Sequence, residues 1–202
     1  MQHGNLKQEL PEQKMTVRYL TSDRKVLEIG ANLGRNSMVI SKILDSNNFV
    51  TLETNDIIAE KLIENRDLNK LNFHVENSAL SKKKLMQRKN STLGSATIES
   101  NVLKFGCEWV KTITLEELKQ KYKIEFDTLI FDCEGAFYFI LKDMPEILDN
   151  ITLIIMENDY NNIEHKLYID KTLEEKGFIC AYNEGGGWGP CSFFFYETWI
   201  KI

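Results

Sequence analysis

Short apolar runs alternate with amphipathic stretches along most of the chain. Residues 25–29 (KVLEI), 49–53, 73–76, 126–131 and 152–156 are the length of strands, mostly apolar, and bounded by polar or turn residues. Between them, residues 36–44, 57–69, 137–148 and 164–176 carry apolar side chains at helical spacing, as Ile58, Leu62 and Leu68 do. Thr114 and Glu117 have capping-box spacing and predict a helix running to about Tyr122. Gly177 stops the helix over 164–176, and Pro145 marks a turn or break in the stretch over 137–148. Residues 5–20 read as a further helix broken at Pro11. Residues 82–101 are polar and read as a loop or lid.

This order predicts a parallel sheet with helices on both faces. The last two runs, 178–182 and 192–200, flank the glycine-rich loop 184–190 with no helix between them, so they predict an antiparallel hairpin. The expected fold is α/β: a Rossmann-like, doubly wound, seven-stranded and mostly parallel sheet with a C-terminal antiparallel hairpin. One domain spans 1–202, with 1–23 as a helical extension. Origin as one piece of a larger chain stays open.

Composition narrows the partners. The chain of 202 residues has 43% hydrophobic and 27% charged residues and a net charge of −5, ordinary values for a globular domain. Lys82, Lys83 and Lys84 form a short cluster rather than a basic stripe, so no nucleic-acid partner is expected. The cysteines at 107, 133, 180 and 191 form no CxxC pair, and with three histidines no zinc spacing arises. Cys133 and Cys180 lie in apolar runs and are expected to be buried, reduced thiols. No leading apolar segment and no run of roughly 18 apolar residues is present, so a soluble, cytoplasmic protein without a membrane span is expected.

The stretch KVLEIGANLGRNS, residues 25–37, passes from strand through glycines into helix. Gly30 and Gly34 let a ligand approach the backbone. Their GxxxG spacing departs from the GxGxxG of a pyrophosphate-binding turn. Glu28, at the end of the first strand, suits a ligand with a cationic group, such as an amino-acid ammonium. Glu53 ends the second strand, where an acid accepts ribose hydroxyls. An aminoacyl nucleoside without phosphate, S-adenosylmethionine, fits all three facts.

The motifs then fall into a family pattern. Residues 30–37 (GANLGRNS) resemble the opening motif of the FkbM-type S-adenosylmethionine-dependent methyltransferases, and residues 129–136 (LIFDCEGA) resemble the second signature of that family. Residues 77–81 (NSALS) are similar to its adenine-holding segment, 114–118 (TLEEL) to a helix start, and 153–157 (LIIME) to its fifth strand. The resemblance covers about residues 24–182 and implies a class I methyltransferase fold. The chain departs at Ile130, where the family often has Lys, and at Thr54, where it often has Pro. Asn158 and Asp159 stand where a His often follows. On this reading the cofactor contacts are Glu28, Gly30, Ala31, Asn32, Gly34, Ser37, Glu53, Thr54, Ser78, Ala79 and Asp132. The resemblance implies O-methylation of a sugar, a glycan or a small hydroxylated acceptor.

A sugar hydroxyl needs a base to take its proton, or a metal to lower its pKa. Asp132 is the first candidate for base or metal ligand, with Glu134 and Glu157 sharing the load. Magnesium bridging Asp132 and Glu157 or Asp159 is the metal candidate. Glu134, Asn158, Asp159 and Trp188 are the acceptor-contact candidates. Trp188 is either a sugar-stacking ring or a hairpin side chain folded onto the sheet. Residues 91–100 are either a closing lid or a solvated loop. Residues 193–196 (FFFY) are expected in the core. His3, His74 and His165 are expected at the surface. Two alternatives stand beside O-methylation: another small-molecule, protein or nucleic-acid acceptor, and a non-catalytic cofactor-binding module. The 132–135 stretch (DCEG) differs from the Asn-Pro-Pro-Tyr type of amine methylation.

Overall fold

In the computed structural model, which describes residues 1–89 and 96–202, the central apolar runs form strands buried along their length. In chain order the first elements are α1 (Leu10–Tyr19), β1 (Val26–Ile29), α2 (Arg35–Ile43), β2 (Phe49–Leu52), α3 (Asp56–Leu68) and β3 (His74–Glu76). The short strands β4 (Ala79–Leu80), β5 (Leu85–Arg88), β6 (Ile98–Glu99), β7 (Cys107–Val110) and β8 (Thr112–Ile113) follow. The second half carries α4 (Leu115–Tyr122), β9 (Thr128–Phe131), α5 (Phe137–Asp143), β10 (Leu153–Glu157), α6 (Ile163–Glu175), β11 (Phe178–Glu184) and β12 (Tyr196–Lys201).

Seven strands form one sheet in the order β11-β12-β10-β9-β1-β2-β3. The five from β10 to β3 run parallel, and β12 lies antiparallel between β10 and β11. The expected fold class is therefore the observed one. Alternation along each strand divides the core. Leu27, Ile29, Leu129, Phe131, Ile154 and Met156 pack on the side of α4, α5 and α6. Val26, Phe49, Ile130, Leu153 and Ile155 pack on the other side, with Met15, Ile40 and Leu62. Both faces are covered, which is why these strands read as unbroken apolar runs. Chain order reverses between β1 and β9, and that opens a crevice at their carboxyl ends.

A buried ion pair fixes the last strand. Lys166 of α6, 1% exposed, places Nζ 3.0 Å from Glu197 Oε2 on β12 and also bonds Asp170. Glu197 in turn accepts the Trp199 indole N–H at 2.9 Å.

Several local expectations are corrected. Pro11 lies in the first turn of α1, where its missing N–H costs nothing, so it opens that helix instead of breaking it. Part of the loop expected over 82–101 is structured: β5 pairs antiparallel with both β6 and β7 in a separate three-stranded sheet, while β4 pairs with β8. Residues 91–95 of the lid candidate lie outside the described residues. The hairpin's second strand begins at Tyr196, because Gly189–Phe194 turns as a 3-10 helix after Trp188. That turn leaves Phe193 86% exposed while Phe195 is buried, so only part of 193–196 is core. Cys180 is exposed on β11, against expectation, because β11 is an edge strand; all four thiols are free. Among the described residues, no helix is long and apolar enough to cross a membrane.

Candidate active site

The glycine turn closes the end of β1 against β9. Gly30 has φ +93°, and a Cβ there would lie 1.6 Å from the Asp132 carbonyl oxygen. Only glycine allows this approach. The Gly30 and Ala31 N–H groups donate to the Leu52 carbonyl at 3.1 and 3.0 Å, and the Asp132 N–H donates to Ile29 O at 3.1 Å. Gly34, at φ +82°, packs on α3, where a Cβ would meet Leu62 Cδ1 at 2.2 Å. The second glycine thus serves helix packing.

Glu53 stands at the end of β2 and accepts from two turns at once. Its Oε2 takes the Asn32 N–H at 2.9 Å and its Oε1 the Asn55 N–H at 2.8 Å. Burial raises its pKa against the pull of these hydrogen bonds. Glu28 is 3% exposed and lies within the sheet; its Oε2 accepts from Thr51 Oγ1 at 2.6 Å and from Ser37 Oγ. Burial pushes it up to about 7.

A cleft runs over these turns. Seven of the expected cofactor residues line it: Gly30, Asn32, Glu53, Thr54, Ser78, Ala79 and Asp132. Glu28 and Ala31 instead line a small adjoining cavity beneath α1. Gly34 and Ser37 act behind the turn, one in packing and the other on Glu28. Sequence reasoning missed the apolar walls Leu52, Ile58 and Ile140, while Leu80 lies in the 77–81 stretch likened to an adenine-holding segment. Leu52 closes β2, and Ile58 and Ile140 lie in the first turns of α3 and α5, positions that apolar spacing marks as core.

Beside the cleft, and sharing Leu80, Thr97, Glu134, Ala136 and Ile140 with it, is a second cavity of ≈ 400 Å³. It lies between α5 and the small sheet and is lined also by Lys83, Phe139, Asp143, Asp159, Tyr160 and His165. His165, expected on the surface, forms part of this wall and stacks on Tyr138 with ring centroids 3.7 Å apart.

The four candidate carboxylates do not share one environment. Asp132 borders the first cleft, and Glu134 stands at the boundary of both cavities with φ +54°. Asp159 lines the second cavity, and its Oδ1 accepts the Gly135 N–H at 2.7 Å. Burial, and then the charge of Glu134, push Asp159 up to about 7. Burial also raises Glu134. Asp132 is held well above the usual range by burial, then by the charges of Glu12 and Glu9. Glu157 is raised by burial, then by Asp132 and by a hydrogen bond with Glu12. Asn158 is fully buried: its N–H donates to Phe195 O at 2.7 Å and its Nδ2 to Phe194 O at 2.8 Å. It braces the hairpin, which is poor placement for the acceptor contact expected of it. Trp188 is half exposed in the hairpin loop and is not part of either cavity wall. Among the described residues, no group of three or more His, Cys, Asp or Glu side chains is arranged to hold a metal ion. The magnesium expectation is thus without structural support among the described residues.

Sheet order and the terminal hairpin define a Rossmann-like α/β fold, with a cleft at the chain reversal. No protein-family model matches the chain, and no curated protein matches its sequence. Solved structures do match. A ribosomal protein L11 methylase from Lactobacillus delbrueckii subsp. bulgaricus aligns over 98% of this chain and 81% of its own, with TM-score 0.61 and 12% identity. An O-methyltransferase from Bacillus cereus in complex with SAH aligns over 98% and 82%, with TM-score 0.54 and 14% identity. A putative O-methyltransferase from Klebsiella pneumoniae aligns over 100% and 84%, with TM-score 0.53 and 13% identity. At these identities the shared property is the fold.

Proposed function

We propose that the chain is an S-adenosylmethionine-dependent methyltransferase that methylates a hydroxyl of a sugar or glycan. The observation that carries the cofactor half is Glu53, an acid at the end of β2 in a cleft whose floor is the Gly30–Asp132 contact. The residues present fit the cofactor. Glu53 offers acceptors to ribose hydroxyls, Leu80, Ile58 and Ile140 offer apolar walls to a base, and the floor at Gly30 leaves room for backbone contact. When bound, S-adenosylmethionine supplies an electrophilic methyl group on a sulfonium.

The chain's own task is to position the acceptor and take its proton. The second cavity adjoins the cleft across Glu134 and is the acceptor's place in this reading. The cofactor would supply a methyl group transferred from sulfur to the acceptor oxygen, and a carboxylate of the chain would take the hydroxyl proton. Asp132 lies on the cofactor side and Asp159 on the acceptor side. Asp159, near 7, is balanced between taking a proton and releasing it. Asp132 serves as base only once a bound cation draws its pKa down. Asp159→Asn tests the acceptor side, where loss of turnover with cofactor affinity held is expected; Asp132→Asn, on the cofactor side, is expected to weaken cofactor binding as well. A net charge of −5 without a basic stripe supports a neutral acceptor over a nucleic acid.

The test is calorimetric titration with S-adenosylmethionine, followed by methyl transfer to a panel of sugars and oligosaccharides. Micromolar binding and transfer to a sugar hydroxyl support the proposal. Absence of binding to the wild-type chain overturns it.

A further inference from the structure

The helix α1 brings its own acid into the core. Glu12 is 5% exposed, and its Oε2 is buried with no hydrogen-bond partner. It faces a small cavity under α1, at the ends of β1 and β9, that is also lined by Glu9, Glu28, Gly30 and Asp132. Glu12 also lies close enough to Glu157 to help raise its pKa, after burial and Asp132. Among the described residues lining this cavity there is no lysine or arginine.

The helix is anchored in this position. Thr16 Oγ1 donates to Asn36 Oδ1 at 2.9 Å, which ties α1 to α2. Arg35 of α2 pairs with Glu9. Gln13 Nε2 donates to the carbonyls of Leu6, Gln8 and Glu9, and holds the chain leading into the helix. The orphan oxygen is therefore not a side chain caught in passing. A buried carboxylate oxygen without a donor costs free energy that a bound cation restores. The cavity and the cofactor cleft have Gly30 and Asp132 as common lining residues.

We propose that Glu12 is a ligand of the primary ammonium group on the amino-acid end of the cofactor. The helix α1 thus supplies a cofactor contact that the strand-end motifs lack. This rests on the cofactor reading above. An ammonium carries three N–H donors, and Glu12 Oε2 and the Asp132 carboxylate are acceptors for two of them.

The test compares three ligands on wild type and on Glu12→Gln. S-adenosylmethionine and its decarboxylated form both carry the ammonium, while 5′-methylthioadenosine keeps the nucleoside and lacks it. Glu12→Gln is expected to weaken the first two by on the order of tenfold to a hundredfold, and to leave 5′-methylthioadenosine unchanged. Removing one charge from the crowded group is also expected to raise the thermal midpoint of the ligand-free chain. Equal weakening of all three ligands, or of none, overturns the assignment while the cofactor reading stands. Failure of all three to bind wild type overturns both. If Glu12→Gln does not fold, the wild-type comparison remains: equal affinity for decarboxylated S-adenosylmethionine and 5′-methylthioadenosine rules the ammonium site out.

Discussion

Glu53 Oε2 accepts the Asn32 N–H at 2.9 Å, so the acid at the end of β2 also shapes the glycine turn at the end of β1. Its other oxygen holds the Asn55 N–H at the start of α3. A substitution here alters the turn and the ligand contact together. Glu53→Ala should cost about 2 kcal/mol of stability, the scale of an unsatisfied buried donor, and abolish measurable cofactor binding. Glu53→Gln keeps an acceptor oxygen for one N–H and should recover much of the stability but little of the affinity. Urea unfolding and calorimetry on the pair separate the two roles.

Asp159 clamps the turn after β9 through the Gly135 N–H. Asp159→Ala leaves that buried donor unpaired and should cost about 1–3 kcal/mol. Asp159→Asn offers an amide oxygen to the same N–H and should restore most of it. If Asp159 takes the acceptor proton, both variants lose turnover although only one loses stability. Denaturant midpoints and single-turnover rates, measured side by side, check this.

The contact at Gly30 leaves no room for a methyl group. The clash in Gly30→Ala is with the backbone oxygen of Asp132, which no rotamer change relieves. The substitution also places a side chain at φ +93°. A loss of about 4 kcal/mol or more is expected, read as a collapse of the melting temperature and of folded yield.

The buried carboxyls set a pH dependence. Glu28 and Asp159 titrate at about 7 in the folded chain, and Glu53, Asp132 and Glu157 are raised as well. Unfolded, such groups titrate near about 4. Between those values the folded state holds more protons. The stability they confer is full below about pH 4 and is lost as pH rises through 7, by at most about 1.4 kcal/mol per pH unit for each group. His74, whose pKa is lowered first by burial, works in the opposite sense as a single group. Glu76, Glu117 and Glu146 are lowered and matter only below about pH 4.5. The ligand-free chain should therefore melt at a lower temperature at pH 8 than at pH 5.5, which thermal scans in matched ionic strength would read.

Much of this was legible in the chain. Strands β1, β9 and β10 are buried on both faces, so their apolar runs stand out, and Thr114 and Glu117 form the capping box their spacing predicts. Glu53 and Gly30 were findable because a strand end fixes where a residue points. The small sheet was not: β6 has two residues, both exposed, and its pairing with β5 comes from contact between segments rather than from an alternating pattern. Nor could spacing single out Glu12. The helix α1 carries Glu12 among polar neighbours, and only packing against the strand ends shows that this carboxylate is buried. Spacing was equally silent on the bonds of Asn158, since a polar residue at a strand end serves a neighbouring backbone as readily as a ligand.

The two borders of the main sheet meet their surroundings unequally. β3 offers three residues, too few to template another chain, whereas β11 offers seven and shows Ile179 to solvent. The register of β11 against β12 shifts between Cys180 and Tyr182, which interrupts the even ladder along this edge strand. The irregularity acts as a terminator: it lets the hairpin complete the sheet without inviting the sheet to grow into an aggregate.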